Sequence, residues 1–318
     1  MMSLNEIENK LNGYINNAWL GKMVSSKEFF TTWEKIKIVK NIPIYNQEKT
    51  ENDKELVYMW APAGNQSTNA KIVFSGFSTS INAAKQIAKN INKEARKLGS
   101  SSEDFSPRLR EICAMSIYKG AMLVRLAWGI KKLAPLFSKK LSFPIYDIIR
   151  AEWSNLEILS EKIDNSTKNG TKIGEGNLFC GNLNCQTVLT QSTFNGLAIK
   201  KNDNYSCAAS KIPINIAKQM SKNYIFNYLD CKVINKPKVI FILGNKAADC
   251  WNYCIQELRK DKKLDQNVQV LTDNWWNKKT SFFNNASQYI LKLPHPSPGN
   301  VSYIDKVNEI ASYLEKKV

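Results

Sequence analysis

The chain of 318 residues has one histidine, His295, and it stands between prolines in Leu293-Pro294-His295-Pro296-Ser297-Pro298-Gly299-Asn300. Proline fixes its own φ and restricts the residue before it, so this imidazole sits on a stiff loop. An imidazole held in this way can donate a hydrogen bond to a developing anion or to a phosphate. A lone His is more commonly a surface or capping residue. A second polar group follows the run Lys71-Ile72-Val73-Phe74-Ser75-Gly76. It reads Phe77-Ser78-Thr79-Ser80, with Asn82 as the nearest amide. Hydroxyls and an amide can hold a water, but a hydroxyl is a poor general base at neutral pH. The 7 Cys form no evident metal set. Cys180 and Cys185 are close, as are Cys250 and Cys254, but neither pair has zinc-ribbon spacing. Cys250 and Cys254 lie one helical turn apart beside Trp251, which suits buried thiols. No metal and no cofactor is expected.

Charge narrows the partners. Lys plus Arg number 45 and Asp plus Glu 28, a net +17. Such a surface attracts polyanions, nucleic acid first and an anionic membrane surface second. The chain is also rich in Lys, Asn and Ile, as translations of AT-rich genomes are, and part of the charge follows from that. Lys131-Lys132, Lys139-Lys140, Lys200-Lys201 and Lys260 to Lys263 are mostly solvated faces, some of which would touch phosphate. Trp275-Trp276 beside Lys278-Lys279 reads either as a nucleic-acid-contacting loop or as the cover of a core edge. Residues 1–10 lack an apolar run behind a basic stretch, and no stretch reaches the roughly 20 apolar residues needed to span a bilayer. A cytoplasmic, soluble monomer without a membrane partner is expected.

These residues need elements to position them. Leu4, Ile7, Leu11 and Ile15 have helical spacing, and Phe29, Trp33 and Ile36 continue in that style. Lys40 to Asp53 is polar and contains Pro43, so it reads as a loop. Residues 1–60 are therefore expected to form an N-terminal helical extension before a domain of residues 61–318. Lys71 to Gly76 reads as a strand, followed by a tight turn and a helix from Ile81. Residues 90–160 look helical, Asp164 to Gly176 reads as an exposed loop, and Val188 to Thr190 and Leu197 to Ile199 are short strands. Lys200 to Asn204 is a turn and Ile214 to Leu229 a helix. Lys238 to Leu243 is apolar without alternation, as in a parallel strand buried on both faces, and Lys246 to Leu258 is the helix after it. Val268 to Leu271 and Gln288 to Leu293 are strands, and Val301 to Lys316 is the last helix. The pattern predicts an α/β fold: a three-layer α/β/α sandwich with a short, mainly parallel central sheet and its ligand at the strand C-termini.

Four segments, in order, resemble the uracil-DNA glycosylase superfamily. His295-Pro296-Ser297-Pro298 resembles its His-Pro-Ser loop. Gly64-Asn65 with Ala70 to Gly76 resembles its first signature region. Asn184-Cys185-Gln186-Thr187-Val188-Leu189-Thr190 resembles its base-recognition strand, and Val239 to Ala248 the strand and helix before the His loop. Together they cover roughly residues 60–315. The resemblance implies a DNA glycosylase that flips a nucleotide out of double- or single-stranded DNA and hydrolyses its N-glycosidic bond. It implies that His295 stabilises the departing base and that Ser297 contacts a neighbouring phosphate. Asn184 would read the base edge, since an amide both donates and accepts, although it suits a turn cap equally well. Phe77 would stack on the base, a contact worth about 1–3 kcal/mol, or is equally well a core residue at a strand end. The stretch around Gly299, Asn300, Val301 and Tyr303 corresponds to the place where relatives push a side chain into the stack. The chain departs from the family in one respect. Many members carry Asp or Asn in the loop after the first strand, whereas Gly76-Phe77-Ser78-Thr79-Ser80 has no carboxylate, leaving Ser78 and Asn82 as candidates to hold water. This departure favours a base other than uracil, as in family members that excise modified phage bases in antiviral defence. The iron–sulfur branches are disfavoured, because no Cys precedes Cys113. A non-catalytic DNA-binding module of the same fold and an ordinary uracil-repair enzyme are the alternatives. A nucleotide-binding α/β enzyme is a weaker one, since no complete phosphate-loop motif follows Gly76 or Gly244.

Overall fold

A computed structural model describes the chain apart from residues 1, 51–53, 63–68, 100, 118–120, 170–185, 194, 231, 233–234, 284, 298 and 317–318. Two helices lead: α1 (Leu4–Trp19) and α2 (Ser26–Trp33). Helix α1 starts on a capping box, in which the Ser3 hydroxyl accepts from Glu6 N–H and the Glu6 carboxylate accepts from Ser3 N–H.

The chain then turns to strands: β1 (Lys37–Val39), β2 (Ile42–Lys49) and β3 (Glu55–Met59). Strand β4 (Ile72–Gly76) is followed by helices α3 (Ile81–Leu98), α4 (Ser106–Ile117), α5 (Ala121–Leu141), α6 (Ile145–Glu152) and α7 (Leu156–Asn169). Next come β5 (Thr187–Gln191), β6 (Gly196–Lys201), β7 (Asn204–Ser206) and α8 (Ile214–Leu229). The last part holds β8 (Val239–Leu243), α9 (Asn245–Lys260), β9 (Val268–Leu271), β10 (Gln288–Leu293) and α10 (Tyr303–Glu315). No described helix is long and apolar enough to cross a membrane.

The strands make two sheets. One is wholly parallel, in the order β5-β4-β8-β10-β9. Strand β8 lies at its centre and is buried throughout, as its unbroken apolar run predicts. Because side chains alternate across a strand, its residues divide between two cores. Phe74, Phe241 and Leu291 face one core with Phe137 of α5 and Val307 of α10. Val73, Ile240, Ile242 and Ile290 face the other with Trp251 and Cys254 of α9. Phe74 and Phe241 stack with ring centres 5.1 Å apart, and on the opposite face the Trp251 indole donates to Ser75 Oγ at 2.8 Å. Helices thus cover both faces of this sheet. Cys250 and Cys254 are buried free thiols, and burial pushes the Cys250 thiol up to about 12.

The edge strand β5 is fastened by a buried carboxylate. Glu152 accepts from Gln186 N–H (2.6 Å), Thr187 N–H (2.7 Å) and the Thr187 hydroxyl (2.5 Å). Three donors offset the cost of burying this group.

The second sheet is antiparallel, in the order β1-β2-β3-β6-β7, and it corrects the reading of Lys40 to Asp53 as a loop. Lys40 and Asn41 both have positive φ (50° and 65°), and Val39 pairs with Ile42. That geometry is a two-residue hairpin turn of the kind that matches strand twist. Asn202 and Asp203 (47° and 59°) repeat it between β6 and β7. Pro43 lies near the start of β2, and its carbonyl accepts from Trp60 N–H at 2.7 Å. The first half of β2 is buried and its second half emerges, so it lacks the alternation that marks a strand in sequence. The Leu197 to Ile199 run is indeed a strand, but it joins this sheet rather than the parallel one. The expected helical extension is therefore two helices followed by strands, and Leu11 of α1 belongs to the same core as Phe241 of β8.

Candidate functional site

Strands β4, β8 and β10 end side by side, with Leu293 opposite Leu243 and Ser75 opposite Ile242. The loops leaving these ends enclose a cavity of about 480 Å³. A volume in this range suits a small organic ligand. Phe77 comes from the loop after β4, Gly244 and Asn245 from the turn after β8, and His295 and Ser297 from the loop after β10. Trp276 forms a further wall, and its indole N–H has no acceptor among the described residues.

The charge of this cavity has one sign. Lys246, Lys292 and Lys306 line it, and no carboxylate does among the described residues. The Lys292 side chain is only 13% exposed, and its nearest carboxylate, the largely exposed Asp273, is 3.8 Å away. Helix α9 begins here on Gly244, without a side-chain cap. Its first N–H groups and its positive dipole end add to the lysines. The site is built to receive an anion or a group that becomes one.

His295 is held on several sides. Ser297 N–H donates to its Nδ1 at 3.2 Å. A ring nitrogen that accepts carries no proton, so the proton resides on Nε2, which is left as a donor. Burial lowers the imidazole pKa, which keeps the ring neutral at neutral pH. The His295 carbonyl accepts from Asn300 Nδ2 at 2.9 Å, and the Asn300 carbonyl accepts from Arg125 at 2.7 Å. Gly244 lies against the ring with φ +87°, and a Cβ there would sit 2.9 Å from His295 Cβ. Only glycine combines that backbone angle with that approach.

The other expected residues separate into two groups. Phe77, Ser297 and Asn300 line the cavity with His295. Ser78 and Asn82 do not. Ser78 Oγ accepts from Leu197 N–H at 2.9 Å, so it fixes the start of β6. Asn82 is exposed on the first turn of α3, and Ser80 caps that helix by accepting from Ala83 N–H. The hydroxyls of Ser78 and Ser80 thus hold the scaffold, and neither Ser78 nor Asn82 is among the residues that line the His295 cavity. Val301 is 89% exposed at the tip beyond His295. Tyr303 is buried, donates to the Arg125 carbonyl at 3.0 Å and packs under the Arg125 guanidinium, so it is structural rather than an intercalating side chain. Gly299 is exposed and outside the lining. Asn184, with Gly64 and Asn65, lies outside the described residues.

Asn245 and the three lysines were not singled out in the sequence. One signal was available: Lys292 interrupts the apolar run Ile290-Leu291-Lys292-Leu293, and a buried strand that admits a lysine usually needs it. Trp275 and Trp276 both pack into the core, and Trp276 also reaches the cavity. The chain matches no protein-family model, no curated protein and no solved structure.

Proposed function

We propose that the protein excises a base from DNA by hydrolysis of an N-glycosidic bond, as a divergent enzyme of the uracil-DNA glycosylase type. The observation that carries this reading is the neutral His295, with Nε2 as its only donor, in a lysine-lined cavity with no carboxylate among the described residues. When the C1′–N bond breaks, the electron pair stays on the base and the sugar becomes electron-poor. His295 Nε2–H donates to the anion that develops on the base, and Lys292 and the α9 N-terminus lower its energy further. Water adds to C1′ and its proton ends on the base or in solvent. Phe77 supplies the face against which the base stacks, and Ser297 and Lys306 hold the flanking phosphates. The convergence of the segments after β4, β8 and β10 on one cavity supports the reading. The missing loop carboxylate places the main catalytic effect on the leaving group, so a modified base that leaves readily as an anion is the favoured substrate. A defence against phage with modified DNA is a setting in which such an activity serves.

The test is base release from defined uracil, mismatched and alkylated duplexes and from modified phage DNA. Alkali-sensitive sites made by the wild type and lost in His295→Ala support the reading. A second reading rests on the same carboxylate-free lining: the protein binds an extruded nucleotide without cutting it. Tight DNA binding with no base released from any of these DNAs selects that reading.

A further inference from the structure

A second cavity, of about 490 Å³, opens where α1, β2, β3, α8 and the turn after β5 meet. A hydrogen bond links its lining to that of the first. The N–H of Thr193, which lines the second cavity, donates to the carbonyl of Phe77, which lines the first, at 3.2 Å, while the Thr193 hydroxyl makes its shorter bond, 2.7 Å, to the Asn195 carbonyl. Glu8 reaches in from α1, and its Oε1 accepts from Asn12 Nδ2 (3.0 Å) and from Asn195 Nδ2. Asn12 in turn accepts from the Trp60 indole at 2.9 Å. Asn195 is only 2% exposed, lines the cavity, and has a carbonyl oxygen with no hydrogen-bond donor among the described residues. Burial raises the Glu8 carboxyl pKa, and the two amide donors only partly oppose it. Glu48 brings a second carboxylate and accepts from the Tyr58 hydroxyl at 3.1 Å. Tyr45, Tyr58 and Tyr224 form aromatic walls. Burial first, then the charge of Glu8, raises the Tyr45 phenol further.

Among the described residues no Lys, Arg or His lines this cavity, in a chain with 45 Lys and Arg. We propose that it binds a small protonated amine. An ammonium would pair with Glu8 and favour its ionised form, which burial otherwise opposes. Its N–H groups would give a donor to the Asn195 side-chain oxygen, which has none among the described residues. The tyrosine faces would contribute cation–π attraction, as aromatic cages do. The same polar and aromatic lining gives a neutral alcohol of equal length no comparable partner for the carboxylates. This inference stands apart from base excision, because none of these residues lines the His295 cavity.

The experiment is calorimetric titration of the full chain with putrescine, with butanediol as the uncharged match and calcium chloride as the inorganic cation. Saturable binding of one putrescine per chain is expected, with no heat from butanediol. Glu8→Gln should weaken putrescine at least tenfold and Glu48→Gln about threefold, while His295→Ala leaves it unchanged. Thermal unfolding monitors each variant, and if Glu8→Gln does not fold, Glu48→Gln and Tyr58→Phe carry the test. Absence of saturable putrescine binding overturns the proposal. So does equal binding of butanediol, tighter binding of calcium, or full affinity in both glutamate variants.

Discussion

Two cavities are linked by the Phe77–Thr193 hydrogen bond, and they differ in almost every respect but size. The His295 cavity is lined by lysines and by loops that leave parallel strands. The Glu8 cavity is lined by carboxylates and by residues from two helices, an antiparallel sheet and a turn. The first takes its rigidity from proline, glycine and main-chain hydrogen bonds. The second takes it from side-chain amides that already hold Glu8. Net charge of the whole chain predicts the first environment and says nothing of the second. A protein's field at long range is a sum, whereas a cavity is decided by the few groups that line it.

Variants at each cavity sharpen or break this contrast. His295→Ala removes the only imidazole, and base release should fall by about 10²–10³-fold, the usual cost of losing one preorganised donor. A retained rate would remove His295 from the chemistry and make the loop a mere wall. Gly244→Ala forces a Cβ into His295 at a left-handed backbone angle. It should displace the ring and lower base release about a hundredfold, with a loss of stability of about 1–3 kcal/mol in urea unfolding. If activity and stability both survive, the close packing of glycine and imidazole has no consequence.

Replacing both Lys292 and Lys306 by Gln should weaken DNA binding for every sequence alike. The slope of log K against log salt should become shallower by about 0.9 per lost phosphate contact. An unchanged slope would show that neither ammonium meets DNA. The pH dependence isolates His295, because no other His exists. Its folded-state pKa is lowered by burial, so the unfolded chain takes up the proton first. Above about pH 6.5, the unfolded value, both states are neutral and the group leaves stability unchanged. As pH falls below it, stability should decline until the folded ring is also protonated. Urea unfolding of wild type and His295→Gln between pH 7.5 and 5 measures this, and parallel curves would refute it. Val301→Gly should change stability by less than about 0.5 kcal/mol and yet reduce DNA affinity, if the exposed valine enters the base stack. An unaltered affinity would leave Val301 as an ordinary surface residue.

Much of the His295 cavity could be read from the sequence because its elements declare themselves locally. Strand β8 is an unbroken apolar run, β4 ends on a glycine before a polar turn, and two prolines frame the histidine. What was not legible is what depends on distant partners. Ser78 looked like a water holder, but its hydroxyl is used by Leu197, far along the chain. Tyr303 looked like a candidate to enter DNA, but Arg125 takes both its hydroxyl and its ring face. Strand β2 hid behind Pro43 and an exposed second half, although Asn41 is a residue that tolerates the positive φ its hairpin requires. The Glu8 cavity gave no sign at all, since Glu8, Tyr45, Asn195 and Tyr224 come from four separate segments.

The pairing of β3 with β6 sets Tyr58 against Leu197. During synthesis β3 emerges with one neighbour, β2, and its other edge stays unpaired until β6 has left the ribosome. At about 5–20 residues per second that interval is on the order of ten seconds. Closing so long a loop is entropically slow, and an unpaired edge is a template for wrong partners. Hairpin β1–β2 and strand β3 are thus the segment most exposed to misassembly in the nascent chain.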